Sequence, residues 1–247
     1  MKTRSISILL LSAMTLFTSC QEMIKTVTMK AMKEAAEFEK ADTVKWGGVM
    51  EQELNLPVFS AIDAKGAVRV VFTQDSTFAV RARGNEKCLE AYKFEVRKDE
   101  LRVQPKDFDG SVKKSSPAIT LFISAPQLLD VDIEGAGTLE LTGTIAQAGP
   151  LDIDIAGAGE ITIDDLAVQE LNIELNGAGK CNLAKVTATG DIEIEVNGAG
   201  DINANVFCQE LTVELNGAGN AVLSGECQKL ICDENGASKV DFSNLKR

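Results

Sequence analysis

The residues best placed to do chemistry in this 247-residue chain are carboxylates that return at a fixed interval. Asp132, Asp154, Glu174, Glu195, Glu214 and Asp233 follow one another at spacings of 22, 20, 21, 19 and 19 residues. Asp130, Asp152 and Glu193 form a second series two residues upstream of the first. Carboxylates brought together from successive repeats can bridge a hard cation such as Ca²⁺ or present a charged face to a cationic partner. The plainer reading is a solvated face whose charges keep sheets from pairing laterally. The Asp-containing nonapeptide by which other β-helices bind Ca²⁺ does not occur.

Other chemistries find less support. The chain has no His, so neither a His-activated nucleophile nor a His metal site is available. A glycosidase needs two carboxylates about 5 to 9.5 Å apart, a criterion that a stacked acid column meets everywhere and that discriminates nothing. Between residues 129 and 238 stand 20 Asp or Glu against Lys180, Lys185 and Lys229, and the whole chain carries a net charge of −12, so phosphate backbones are repelled. Phe207 is the one aromatic residue in that same stretch, which leaves few platforms for sugar stacking. Trp46 and Tyr92 lie upstream and read as core or cap packing before they read as a ligand patch. Cys208 and Cys227 occupy equivalent places in adjacent repeats, within the Cα separation of a disulfide. Stacked free thiols are the alternative, because facing positions on parallel strands strain the bridge. Cys181 and Cys232 fall at inward positions, Cys88 has no evident partner, and no metal-ligand spacing appears.

The acid series is positioned by a glycine repeat. Gly135 and Gly137, Gly157 and Gly159, Gly177 and Gly179, Gly198 and Gly200, and Gly217 and Gly219 each flank an Ala, and Gly236-Ala237-Ser238 is a sixth, imperfect copy. Six, four and two residues before each first glycine, and four and six after it, the positions are almost all aliphatic, as in Leu151, Ile153, Ile155, Ile161 and Ile163. Period-2 alternation on both sides of a turn marks two strands with one buried face each. The turn needs positive φ and close backbone approach, which glycine tolerates at least cost. Asn176, Asn197, Asn216 and Asn235 precede the glycine, and Asn is the next residue most tolerant of left-handed geometry. The expected fold is all-β: a right-handed parallel β-helix or β-solenoid of about 20 residues per coil. An irregular β-strand cap and a short N-terminal helix precede it. In the last unit Glu234 enters an inward column, so this coil reads as a partial cap, with Lys246 and Arg247 discouraging edge-to-edge stacking.

The chain divides into four parts. Residues 1–19 are a signal segment with Lys2 and Arg4 ahead of an apolar run from Ile6 to Phe17. Phe17-Thr18-Ser19-Cys20 resembles a lipobox, which makes Cys20 a lipidated N-terminus of the mature chain and a membrane anchor, with an ordinary cleavage site as the alternative. Residues 20–46 carry apolar positions at helical spacing amid Lys and Glu and read as a tether helix. Residues 47–126 show alternating strands without the 20-residue repeat, either longer first coils or a small capping sheet, and residues 127–247 are the regular coils.

Leu56-Pro57-Val58-Phe59 with Ile62, Val70-Val71-Phe72-Thr73-Gln74, Asp99-Glu100-Leu101-Arg102-Val103, and Ala125-Pro126-Gln127-Leu128 running into the glycine repeats resemble the putative auto-transporter adhesin, head GIN domain family. The resemblance covers roughly residues 48–245; it departs where Asn stands before Gly-Ala-Gly, a place where that family often has Ser. It implies a bacterial envelope β-helix and carries over no catalytic or binding residue. The expectation is a non-catalytic outer-membrane lipoprotein, periplasmic or surface-exposed, serving as an adhesin, a scaffold or a binder of a protein or glycan ligand. A carbohydrate-active or carbohydrate-binding protein acting on extracellular glycans is the rival reading.

Overall fold

Alternating aliphatic and polar residues build strands throughout, and the computed structural model, which describes residues 48–106 and 118–247, is all-β. The signal segment, Cys20, the tether and Trp46 lie outside the described residues. Ten strands join in one sheet of mixed parallel and antiparallel pairs. In chain order they are β1 (Val49–Glu53), β2 (Ala61–Gln74), β3 (Ala79–Asn85), the short helix α1 (Glu86–Ala91), β4 (Tyr92–Arg97), β5 (Glu100–Pro105), β6 (Ala118–Ala125), β7 (Asp130–Ala146), β8 (Leu151–Val168), β9 (Leu171–Ala188) and β10 (Ile192–Lys246).

The glycine repeat governs the parallel part. β7, β8, β9 and the start of β10 pair in parallel with every repeat position in line, so that Gly135, Gly157, Gly177 and Gly198 form one row. Within β10, ion pairs and hydrogen bonds join residues 19 apart, Lys229 to Glu210 and Asn235 to Asn216, so this 55-residue element returns over itself. Strand pairing runs on through each corner, and the breaks between β7, β8, β9 and β10 are confined to 147–150, 169–170 and 189–191.

The two glycines of a corner differ in backbone and, in β7 and β8, in what crowds them, while at Gly219 the second also lies against the coil below, where a Cβ would be 1.8 Å from the Gly200 oxygen. At Gly177 φ is +141°, and a Cβ would lie 2.0 Å from the carbonyl oxygen of Gly157 in the coil below. At Gly137 no positive φ is involved, but a Cβ would lie 2.2 Å from Ile133 Cγ2 inside the core. The Asn residues before the corner do not take the left-handed backbone expected of them, since Lys98 and Asp99 are the non-glycine residues with positive φ among those described. Their amides instead stack. Asn197 donates to Asn176 Oδ1 at 3.0 Å, Asn216 to Asn197 at 2.9 Å and Asn235 to Asn216 at 2.9 Å.

The repeat reaches further upstream than its glycines advertise. β2 pairs in parallel with β7 from Ala61 to Thr73, with Gly66 opposite Gly135 and Asp63 opposite Asp132. Beyond β2, two shorter strands share the place of one coil: β5 lies against Ala61–Ala64 and β6 against Ala67–Gln74. The antiparallel pairs β1–β3, β3–β6 and β4–β5 complete this end. Its corner is closed by Tyr92, whose hydroxyl accepts the Ala67 N–H at 3.1 Å, where a preceding coil would have supplied backbone. Val68, Val70, Phe72, Val131, Ile133, Leu139 and their equivalents through Leu223 are buried, which makes one continuous aliphatic core along the stack.

Candidate functional site

Register alone assembles the acid column. Asp63, Asp132, Asp154, Glu174 and Glu195 are successive partners across β2, β7, β8, β9 and β10, and Glu214 and Asp233 continue the series. Neighbouring rungs of a parallel ladder lie about 4.8 Å apart. Asp63 went unseen in the sequence because Gly66-Ala67 is followed by Val68 where a second glycine would mark the corner. Its signal was the acid three residues before a glycine, with Ile62, Ala64, Val68 and Val70 alternating around it.

Beside this column the second series, Asp130, Asp152, Asn172 and Glu193, is likewise in register. Between the two series runs an open groove of about 340 Å³, floored by Ile153 and Ile173 and walled by Asp130, Asp152, Asp154, Glu174, Glu193 and Glu195. Like charges at this spacing repel, and the local structure relieves the repulsion unevenly. Asn172 interrupts the second series and donates to Asp152 Oδ1 at 2.7 Å. Asn176 donates to Glu174 at 2.7 Å and Asn197 to Glu195 at 2.8 Å, so the corner amides also tie down the carboxylates two residues before them. Asp154 has Ala156 in the corresponding place, and its Oδ1 is enclosed without a hydrogen-bond partner.

The electrostatics follow from this geometry. Partial burial pushes the Asp154 carboxyl above the ordinary carboxylate range, with Glu174 and Asp130 adding to the rise. Asp132 rises through burial and then through Asp63 and Asp154, and Asp130 through burial and then Asp152. Burial also raises Asp63, against the pull of nearby Lys65, which itself pairs with Glu134 at 2.9 Å. Asp130 and Asp154, which line the groove, therefore hold a proton more readily than carboxylates on open surface.

What the arrangement does not assemble is equally informative. Among the described residues no group of three or more His, Cys, Asp or Glu side chains is arranged to hold a metal ion. Cys181, Cys208, Cys227 and Cys232 form no disulfide among the described residues, and burial pushes Cys208 up to about 12, with Cys227 close enough to add to the effect. Among the described aromatics, Phe59 packs edge-on against Phe78, Arg81 lies over Phe122, and Tyr92 is buried. Phe207 is 38 % exposed and has no aromatic neighbour to extend into a row. No helix among the described residues is long and apolar enough to cross a membrane.

The same fold occurs in a crystal structure of a putative adhesin from Bacteroides fragilis, at 16 % identity and a TM-score of 0.55, over 78 % of this chain and 96 % of that one. A putative adhesin from Parabacteroides distasonis is similar at 13 % identity and a TM-score of 0.41, over 78 % of this chain and 97 % of that one. A putative lipid binding protein from the same species is similar at 15 % identity and 0.43, over 79 % and 97 %. No curated protein matches the chain. The model of the putative auto-transporter adhesin, head GIN domain matches residues 58–188 and 173–247, and the chain belongs to that family.

Proposed function

We propose that this chain is a non-catalytic adhesin of the cell envelope, a right-handed parallel β-helix held to the outer membrane through a lipid on Cys20. Its working surface is the acidic groove, which meets a basic surface on its partner. One observation carries this reading: carboxylates from five successive strands stand in register, and those of β7 to β10 line an open groove. A surface of this kind favours extended, charge-complementary contact over enclosure of a small substrate. Membership of an adhesin family supports the same conclusion. The carbohydrate-directed alternative would draw on long loops between coils or an exposed aromatic row, and neither occurs among the described coils.

The test is labelling of intact cells with antibody raised against the β domain. Labelling before the outer membrane is opened supports an adhesin at the cell surface. Labelling only after permeabilisation overturns it in favour of a periplasmic scaffold. A polylysine probe should then bind the purified protein with an affinity that falls as salt rises, and a salt-independent affinity would count against the groove.

A further inference from the structure

The two ends of the coil stack are finished differently. The N-terminal end is covered by β5, β6, β3 and Tyr92. At the other end, the turn formed by residues 228–247 has no strand beyond it among the described residues. Phe242 holds a core position filled by buried Leu141, Ile163, Leu183 and Leu223 in earlier coils, yet it is 37 % exposed. Arg247 lies over its ring, 4.9 Å from the centroid, so that side chain shields the core instead of fending off a neighbouring edge. Asn235 donates to Asn216 as every ladder amide does, but no residue donates back to its own oxygen among those described. Ser238 Oγ is enclosed without a partner.

We propose that this edge pairs with the same edge of a second copy, across a twofold axis through Gly236. The occupant follows from the order of residues about that glycine. Antiparallel pairing on such an axis sets each residue before Gly236 against the one equally far after it. Asp233 then faces Lys239, Glu234 faces the unpartnered Ser238 hydroxyl, Cys232 faces Val240 and Leu230 faces Phe242. Charge meets opposite charge, an acceptor meets a donor, and apolar residues meet apolar residues, each twice per dimer. Asp233 and Lys239 are both exposed, and neither makes an ion pair among the described residues. An unpaired edge is a template for strand addition, and a self-complementary edge closes on itself as an isologous dimer.

Sedimentation velocity of the full mature chain in mild detergent tests this. The wild-type chain should be a dimer. Asp233→Lys and Lys239→Asp should each weaken dimerisation by about tenfold, because both symmetric pairs become like-charged. The double variant, D233K with K239D, should restore it by swapping the charges. Both positions are exposed, and an unchanged circular dichroism spectrum at the sheet band certifies that each variant is folded. A monomeric wild-type chain overturns the proposal and leaves the edge to residues upstream of Val49 or to another protein. Oligomers that grow beyond two overturn the closed twofold, and a double variant that stays monomeric overturns the pairing about Gly236.

Discussion

Replacing Gly198 by Ala tests the reason for the repeat at one of its most crowded points. φ there is +142°, and the new Cβ would lie 1.9 Å from the carbonyl oxygen of Gly177 and 2.9 Å from its carbon. Holding an L-residue in that backbone region costs about 1–3 kcal/mol. Relieving the contact requires the two coils to part by more than about 1 Å, which loosens the ladder hydrogen bonds on either side, each worth about 1 kcal/mol net. Together these give a loss of roughly 3–5 kcal/mol, or about 6–20 °C in melting temperature for a unit of this size. Gly143→Ala is the control, since its φ is +78° but nothing lies within 4 Å of the added Cβ. Only the conformational part remains there, about 1 kcal/mol. Thermal and urea melts followed by circular dichroism at the sheet band measure both. Equal losses in the two variants would refute the claim that close stacking of coils, and not turn conformation, selects glycine at the corner.

The acid groove predicts an inverted response to pH. Asp63, Asp130, Asp132 and Asp154 have folded-state pKa values raised above the ordinary 3.8, so the folded chain binds more protons than the unfolded one from that value upward. Their stabilising contribution is complete below 3.8 and is lost as pH rises through the raised values. These four groups should therefore favour a higher melting temperature near pH 4 than at pH 7, and Asp154→Asn should reduce their part of that difference; a pH dependence untouched by the substitution would contradict the groove electrostatics. Because no three carboxylates converge among the described residues, millimolar Ca²⁺ should stabilise no more than Na⁺ at equal ionic strength, and a larger shift would reveal a metal-bridged ladder. Tyr92→Phe strands the Ala67 N–H and should cost about 1–3 kcal/mol by urea melt, whereas a neutral substitution would deny Tyr92 its capping role. Thiol counting in denaturant without reductant should find all of Cys88, Cys181, Cys208, Cys227 and Cys232 reactive, and loss of two would report a Cys208–Cys227 bridge.

The features legible in the sequence are those that repeat locally. Alternation around each Gly-Ala-Gly predicted which side chains of β7 to β10 face the core, and a shared interval predicted that Asp132, Asp154, Glu174 and Glu195 would align. Features that depend on one end of the stack were not legible. Nothing near Tyr92 in the chain announces that its hydroxyl replaces a missing coil, because the partner, Ala67, is 25 residues away. Gly66 stands alone for the same reason. A Cβ there would meet the Tyr92 hydroxyl at 2.5 Å, and with Ala64 in the place that Ile133 takes beneath Gly137, the second position of the corner accommodates Val68. The helix Glu86–Ala91 spans six residues, too few to establish a helical period. The Asn column was visible, but its cause was not: amide stacking and carboxylate anchoring become apparent only when the coils are superposed.

The place of the open edge bears on how adhesion would work. β1, where the chain enters the β domain, lies at one end of the sheet order and β10 at the other. With an anchor at Cys20, the edge around Gly236 is then the part of the sheet furthest from the membrane along the chain. Seven coils at about 4.8 Å carry it roughly 34 Å from the first rung. Two copies paired at that edge would carry their β1 strands at opposite ends of the joined sheet. Beads carrying the mature chain through its N-terminus test whether such a pair joins two surfaces. Clumping of wild-type beads, its loss with Asp233→Lys and its return in mixtures of D233K with K239D beads would show pairing between surfaces. The mixture is diagnostic because a D233K pair sets Lys against Lys at both symmetric contacts and a K239D pair sets Asp against Asp at both, whereas D233K facing K239D sets Lys against Asp at both. If mixed beads clump no better than either alone, the charges about Gly236 do not meet across two surfaces, and the edge must serve within one membrane.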